Sequence, residues 1–439
     1  MPGGRGEVDL RSLLGAVEEA FPIDVVDVLA GQLARSVDAR HAALLIANFS
    51  GSALARLSHV ECSGRGQDGR NERAESLSLR GTDHERVLFT QQPAVIARSH
   101  DWLVLVPVTE RGDAIGVLEV SFGEEPATEA VGHLVAGAHA LAYVLIASRR
   151  HTDLFEWAQR DIPFSISAEI QRRLLPSAYS LEAGPLTLAG WLEPSHDAGG
   201  DTFDYSLDRE HLYLSVTDAM GHSVDASLLA TLAVATLRNR RRALAPPAEL
   251  ADAAGEALRV HAEPDQFVTG LLMRVRLADG SAEVVNAGHP APFLVRNGAV
   301  VPLDVTVQPP LGITDTAYRA DQVVLAPGDR LLVITDGYLD RDARRVDVEA
   351  ILASTTDRHP RQVVQELARR LLEVTGGELR DDATSLCIDW YGPTGVRSAT
   401  GGASPARATN EPDRSRWEEE PASAPMLVDE LPVPGDDLQ

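Results

Sequence analysis

The chain has 439 residues, of which 44% are hydrophobic and 24% charged, with a formal net charge of -25. Such a length allows two or three domains with their own cores, and the negative balance opposes binding to nucleic acid, which depends on clustered cations. All 40 basic residues are arginine, which excludes a P-loop GK[ST], a kinase β3 lysine and a Schiff-base lysine. Cys62 and Cys387 are far apart and form no CxxC or zinc-type spacing, so neither a disulfide framework nor a thiolate metal site is indicated. The segment "MPGGRGEVDL" lacks the basic and apolar blocks of an export signal. No run of about 18 apolar residues stands out. A cytoplasmic chain with no membrane partner is therefore expected.

In chain order, residues 1–20 read as a flexible N-terminus and 21–150 as a first domain. Val25, Val26, Val28, Leu29, Leu33 and Val37 follow a helical repeat. "HAALLIANF", "DWLVLVPV" and "AIGVLEVSF" then read as strands, the last two joined by a turn at Gly112-Asp113. "ATEAVGHLVAGAHALAYVLIASRR" closes the domain, with Val131, Leu134, Ala138, Leu141 and Leu145 near a helical repeat. Helix, antiparallel strands, central hairpin and closing helix together resemble a GAF domain. That likeness implies an α/β sensor module with a small-ligand pocket or a dimer contact; a purely structural module is the alternative.

Residues 151–183 read as a helical connector. Ile166, Ile170 and Leu174 repeat at four-residue intervals, Pro176 ends the helix and Pro163 interrupts any helix entering from the first domain. The connector either packs against a second copy, making a homodimer with the first domain, or is a plain intradomain helix. Beyond residue 392 the sequence turns acidic and rich in Pro, Gly and Ser, and residues 393–439 are expected to be a disordered tail. Within it only "MLVDELPVP" could dock on a partner.

The chemistry lies in residues 184–392. "DAGGDTFDY" presents Asp201 after two glycines. In "HLYLSVTDAMGH" a strand runs into Asp218, in "RLLVITDGY" another delivers Asp336 ahead of Gly337, and "RDDATSLCIDW" places Asp381 and Asp382 before a third. Any one Asp beside Gly is most often a turn former; the recurrence carries the argument. Two carboxylates about 5 Å apart repel by roughly 3 kcal/mol at an effective dielectric near 20, so a converging set needs a cation. Aspartate oxygens without His or Cys suit Mg²⁺ or Mn²⁺.

These segments, together with "FVTGLLMRV", "VVNAGHPAPFLVRNG" and "PPLGI", resemble in order and spacing the SpoIIE-type serine/threonine phosphatases of the metal-dependent PPM (2C-type) class. "QRRLLP" is similar to the connector such proteins carry. The resemblance implies an αββα sandwich of two antiparallel sheets with two metal ions, Mn²⁺ or Mg²⁺, at one end. Asp201 and Asp218 would be the bridging ligands, Asp336 and Asp381 would complete the set, and the Ala219 carbonyl and Asp382 match further positions at the metals. The implied activity is hydrolysis of phosphoserine or phosphothreonine by metal-activated water, typically on an anti-anti-sigma-factor (STAS) protein, under control of the GAF-like domain. The alternatives are a pseudophosphatase scaffold or a small-molecule sensor. Asp204 is expected to support its turn, and His222 and His289 to be structural. "DAMGHS" places Ala219 and Ser223 where the family has glycine, and "TDGYLD" places Leu339 and Asp340 where it often has a hydroxyl and a longer acid. Reduced activity could follow.

Overall fold

The computed structural model describes residues 10–48, 53–61, 76–159, 165–195, 199–221, 223–340 and 342–393. These residues fall into two compact units, 10–159 and 165–393. Pro163, Asp197, His222 and the expected tail lie outside the described residues.

The first unit is built on a six-stranded antiparallel sheet. Its order is Ser76–Ser78, Ala53–Glu61, His41–Ala47, Asp113–Phe122, Trp102–Glu110 and Ala94–Ala97. Alternation along His41–Ala47 sends Ala42, Leu44 and Ile46 to one face, where they pack under helices Val25–Ser36 and Thr128–Ser148. Ala43 and Leu45 face Val87 of helix Asp83–Thr90. The central hairpin turns at Arg111 and Gly112, with φ of 44° and 85°. Those are the two positive-φ positions of a type I′ turn, one residue earlier than expected.

Two expectations need correction. Helix Leu10–Glu19 occupies half of the stretch read as flexible, and Val17 and Ala20 pack against the core. Helix Thr128–Ser148 has the length and mean hydropathy, 1.7, of a membrane crossing. Glu129 is its only Asp, Glu, Lys or Arg, and Leu134, Ala138, Leu141 and Leu145 are buried against the sheet.

The second unit stacks four layers. One sheet runs Val307–Gln308, Ser281–Ala287, Val268–Arg276, His211–Ala219 and Asp201–Leu207, with Asp321–Val324 also paired to Ser281–Ala287. The other runs Ala299–Pro302, Phe293–Arg296, Arg330–Ile334, Ala383–Trp390, Leu186–Glu193 and Ser180–Glu182. Leu188, Phe203, Val216, Leu271, Val333 and Leu386 form the core between them. Helices Ser223–Arg242 and Pro247–His261 cover the first sheet through Ala230, Val234 and Leu258. Helix Pro360–Thr375 covers the second through Val363, Leu367 and Leu371.

The expected connector is divided between the units. Leu154–Ala158 falls in the first, and helix Ile166–Leu174 in the second, capped by the Ser165 hydroxyl, which accepts from Ala168 N at 3.2 Å. That second helix packs beside Ser223–Arg242 as an intradomain element, with Leu174 buried, Ile170 half-buried and Ile166 71% exposed. Ile166 thus lies off the buried face that the four-residue repeat suggested.

Candidate functional site

All four acid-bearing segments reach the same end of the sandwich. Asp201 opens its strand and lies directly across the ladder from Asp218, near the end of the neighbouring strand. Asp336 begins a single 3-10 turn just after Arg330–Ile334, and Asp381 and Asp382 stand immediately before Ala383–Trp390, the strand paired to it. Two glycines make this approach feasible. A Cβ on Gly200 would sit 2.6 Å from the Ala219 carbonyl oxygen and 3.3 Å from Asp218 Oδ1, and one on Gly337 would overlap the Asp382 carbonyl.

Electrostatics follow the convergence. Asp201 and Asp382 are each 2% exposed, whereas Asp336 and Asp381 stand at the exposed rim. Burial first, then the charges of Asp218 and Asp382, push the Asp201 carboxyl well above its ordinary value. Burial and the charges of Asp336, Asp381 and Asp382 raise Asp218 to about 7. Asp381 is raised to about 6, chiefly by burial with Asp336, Asp382 and Asp340 adding to it. Asp336 is raised by burial and Asp340. Burial and like charge thus oppose ionisation of each carboxyl, and a bound cation would favour it. A cleft of about 30 Å³ opens beside Asp381, between Gly337, Asp340 and Arg380.

The donor set, carboxylates and a carbonyl without thiolate or imidazole, fits a hard divalent ion. Among the described residues, however, no three His, Cys, Asp or Glu side chains already surround one point closely enough to hold a metal.

Asp382, expected beside the metals, is held by three protein donors. Its Oδ1 accepts from Ser195 N at 2.8 Å, and its Oδ2 accepts from Gly199 N at 3.0 Å and from Gln171 Nε2 at 2.6 Å. Gln171 also donates to the Asp201 carbonyl at 2.9 Å. Asp382 therefore ties together the segment leading into Asp201 and helix Ile166–Leu174. Gln171, from "QRRLLP", is a residue the sequence reading passed over. Its buried amide, 2% exposed, has no local sequence signal that separates it from the less buried Glu169, Arg172 and Arg173 of the same helix.

Asp204 is 5% exposed and pairs with Arg238 at 2.9 Å and Arg241 at 2.8 Å. It holds helix Ser223–Arg242 rather than its own turn. Arg238 also donates to the Leu174 carbonyl at 2.5 Å, joining both helices to the sheet. His289 is buried beside the Thr269 hydroxyl at 3.1 Å, and Asn286 clamps its backbone from both sides. Burial lowers His289 to about 4, so it is neutral near pH 7, as expected of a structural residue. Ala219 ends a strand with extended backbone and a buried side chain, so its replacement of glycine carries no positive-φ strain; Ser223 does adopt φ 63°.

Residues 208–391 match the family model for stage II sporulation protein E (SpoIIE), a match that begins just after Asp201. The chain is similar to the phosphoserine phosphatase RsbP of Bacillus subtilis (strain 168), at 25% identity over 185 residues. That alignment covers 40% of this chain and 44% of RsbP, less than half of the relative's length. It is also similar to the phosphoserine phosphatase RsbU of the same organism, at 19% identity over 234 residues, covering 51% of this chain and 68% of RsbU. Among solved structures, the RsbU and RsbW domains of a Mycobacterium tuberculosis protein align at 25% identity and TM-score 0.45, covering 49% of this chain and 63% of that one.

Proposed function

From the premise that residues 208–391 form a SpoIIE-type phosphatase domain of the PPM class, we propose that this chain hydrolyses phosphoserine or phosphothreonine in a protein, using two Mn²⁺ or Mg²⁺ ions. The observation that supports it is the meeting of Asp201, Asp218, Asp336 and Asp381 at one end of the sandwich, each raised above its ordinary pKa.

Asp201, Asp218, Asp336, Asp381 and the Ala219 carbonyl would hold the ions. Bound there, the metals supply hydroxide near neutral pH and neutralise phosphoryl oxygens. The protein's part is to keep Asp201 and Asp218 in register across one ladder, to admit the phosphorylated side chain at the open rim of Asp336 and Asp381, and to let the carboxylates shed their protons when cations arrive. Cys387 is buried within its strand and takes no part in this arrangement.

The substrate we favour is an anti-anti-sigma factor of the STAS type, in keeping with similarity to the two phosphoserine phosphatases RsbP and RsbU. The first unit would act as a GAF-type regulatory module, its sheet covered by helices on both faces. A homodimer through that unit and the exposed end of helix Ile166–Leu174 belongs to the same reading, as does a cytoplasmic location. One observation favours a second reading, a binding module of low activity: among the described residues, no three His, Cys, Asp or Glu side chains enclose a metal position. Phosphate release from p-nitrophenyl phosphate with Mn²⁺ and with EDTA separates the two. Metal-dependent turnover supports the enzyme, and metal binding without turnover supports the module.

A further inference from the structure

Strand Arg330–Ile334 pairs antiparallel with Ala383–Trp390, and Ile334 faces Ser385. One step on, Thr335 N donates to the Thr384 carbonyl at 3.0 Å, as a ladder requires. The return bond departs from the ladder. Thr384 N donates not to the Thr335 carbonyl but to the Thr335 hydroxyl, at 2.9 Å, where the chain leaves the strand for its turn at Asp336. That N–H occupies acceptor capacity on the hydroxyl oxygen, so the single hydroxyl proton must point elsewhere. Asp201 Oδ2 lies 2.7 Å away and receives it. Thr335 and Thr384 are 0% exposed and Asp201 2%, so bulk water does not compete for either group.

We propose that Thr335 is the positioning residue of the candidate metal centre. Its hydroxyl, oriented by a backbone N–H, fixes the rotation of the Asp201 carboxylate and hence which lone pairs that carboxylate presents to a divalent ion. The inference rests on the two-metal reading and deepens it. It assigns a role to the residue before Asp336, which is neither a metal donor nor in contact with substrate. Groups that orient metal ligands typically contribute 10–100-fold in metal affinity. Serine preserves the hydroxyl; valine keeps the shape and removes it.

The test is isothermal titration of Mn²⁺ into the full-length wild type, Thr335→Val, Thr335→Ala and Thr335→Ser, with folding of each checked by circular dichroism. Alanine accompanies valine because it leaves room for a water at Thr384 N without placing a fixed donor on Asp201. The expected result is Mn²⁺ binding weakened about 10–100-fold in the folded Val or Ala variant and restored to the wild-type value by Ser. Equal binding by wild type, Val and Ala overturns the inference alone. Folding by Ser but by neither Val nor Ala overturns it in favour of a purely structural hydroxyl. A folded wild type that takes up no Mn²⁺ overturns the two-metal reading and this inference with it.

Discussion

The side-chain amide of Gln171 donates to Asp382 Oδ2 at 2.6 Å although the two residues are 211 positions apart. A second bond from the same amide reaches the Asp201 carbonyl, so helix Ile166–Leu174 is fastened directly to the backbone of the candidate metal centre. Gln171→Ala should leave a buried carboxylate short of one donor and lower apo stability by about 1–3 kcal/mol. Because Asp201 also loses a restraint, turnover with Mn²⁺ should fall about 10–100-fold. Urea denaturation with EDTA and steady-state rates with saturating Mn²⁺ measure the two effects. Unchanged turnover in a destabilised variant would confine Gln171 to a structural role.

The contribution of Asp218 and Asp381 to metal-free stability, read as the difference between wild type and Asp218→Asn or Asp381→Asn, should decline as pH rises from about 4 to 7. Asp218 titrates near 7 and Asp381 near 6 in the folded chain, against an ordinary value of 3.8. In that window each of these two acids binds more protons in the folded state than in the unfolded state, so its contribution to the unfolding free energy decreases with increasing pH, opposite in sign to that of buried His289, lowered to about 4 from an ordinary 6.5. Added Mn²⁺ should reverse the trend, since ligands must be deprotonated to bind it. Urea midpoints from pH 4 to 8, with EDTA and with Mn²⁺, check both signs. Asp218→Asn should flatten the EDTA curve.

Gly337→Ala should be damaging out of proportion to one methyl group. The added carbon overlaps the Asp382 carbonyl and lies 3.0 Å from Ala383 Cα, all backbone that cannot rotate aside. A cost of about 1–3 kcal/mol is expected, with activity lost because Asp336 shifts with its turn. Thermal melting and p-nitrophenyl phosphate turnover of this variant would show it; wild-type values for both would contradict the packing.

Arg238→Ala removes the group that joins Asp204 to the Leu174 carbonyl. Arg241 still pairs with Asp204 and Arg238 is 24% exposed, so the expected loss is about 1–3 kcal/mol rather than the larger cost of stranding a buried charge. Helix Ile166–Leu174 should loosen first, visible as faster amide exchange there than in Ser223–Arg242.

Much of this was legible in the sequence because it is local. Strands that run into Asp218 and Asp336 announce themselves through apolar runs ending at an acid and a glycine, and Gly200 marks a close backbone approach. What sequence could not supply was long-range pairing. Asp382 was placed at the metals through the family resemblance, while its hydrogen-bond partners Ser195, Gly199 and Gln171, far away in the chain, came only from folding. Asp204 met Arg238 and Arg241 only through folding. Helix Leu10–Glu19 was missed because its partly buried apolar residues, such as Val17, are covered only through a tertiary contact. Ala219 seemed strained by analogy with glycine, and its extended conformation became evident only from the strand it ends.

The most direct measurement is phosphate release from a phosphoserine-bearing STAS protein by the full-length wild type and by Asp218→Asn, each with saturating Mn²⁺ and with EDTA. The two-metal account predicts turnover only for wild type with Mn²⁺, with Asp218→Asn folded, at least as stable without metal because one of several repelling carboxylates is gone, and inactive. Equal Mn²⁺-dependent turnover by wild type and Asp218→Asn, or turnover that persists in EDTA, would contradict it.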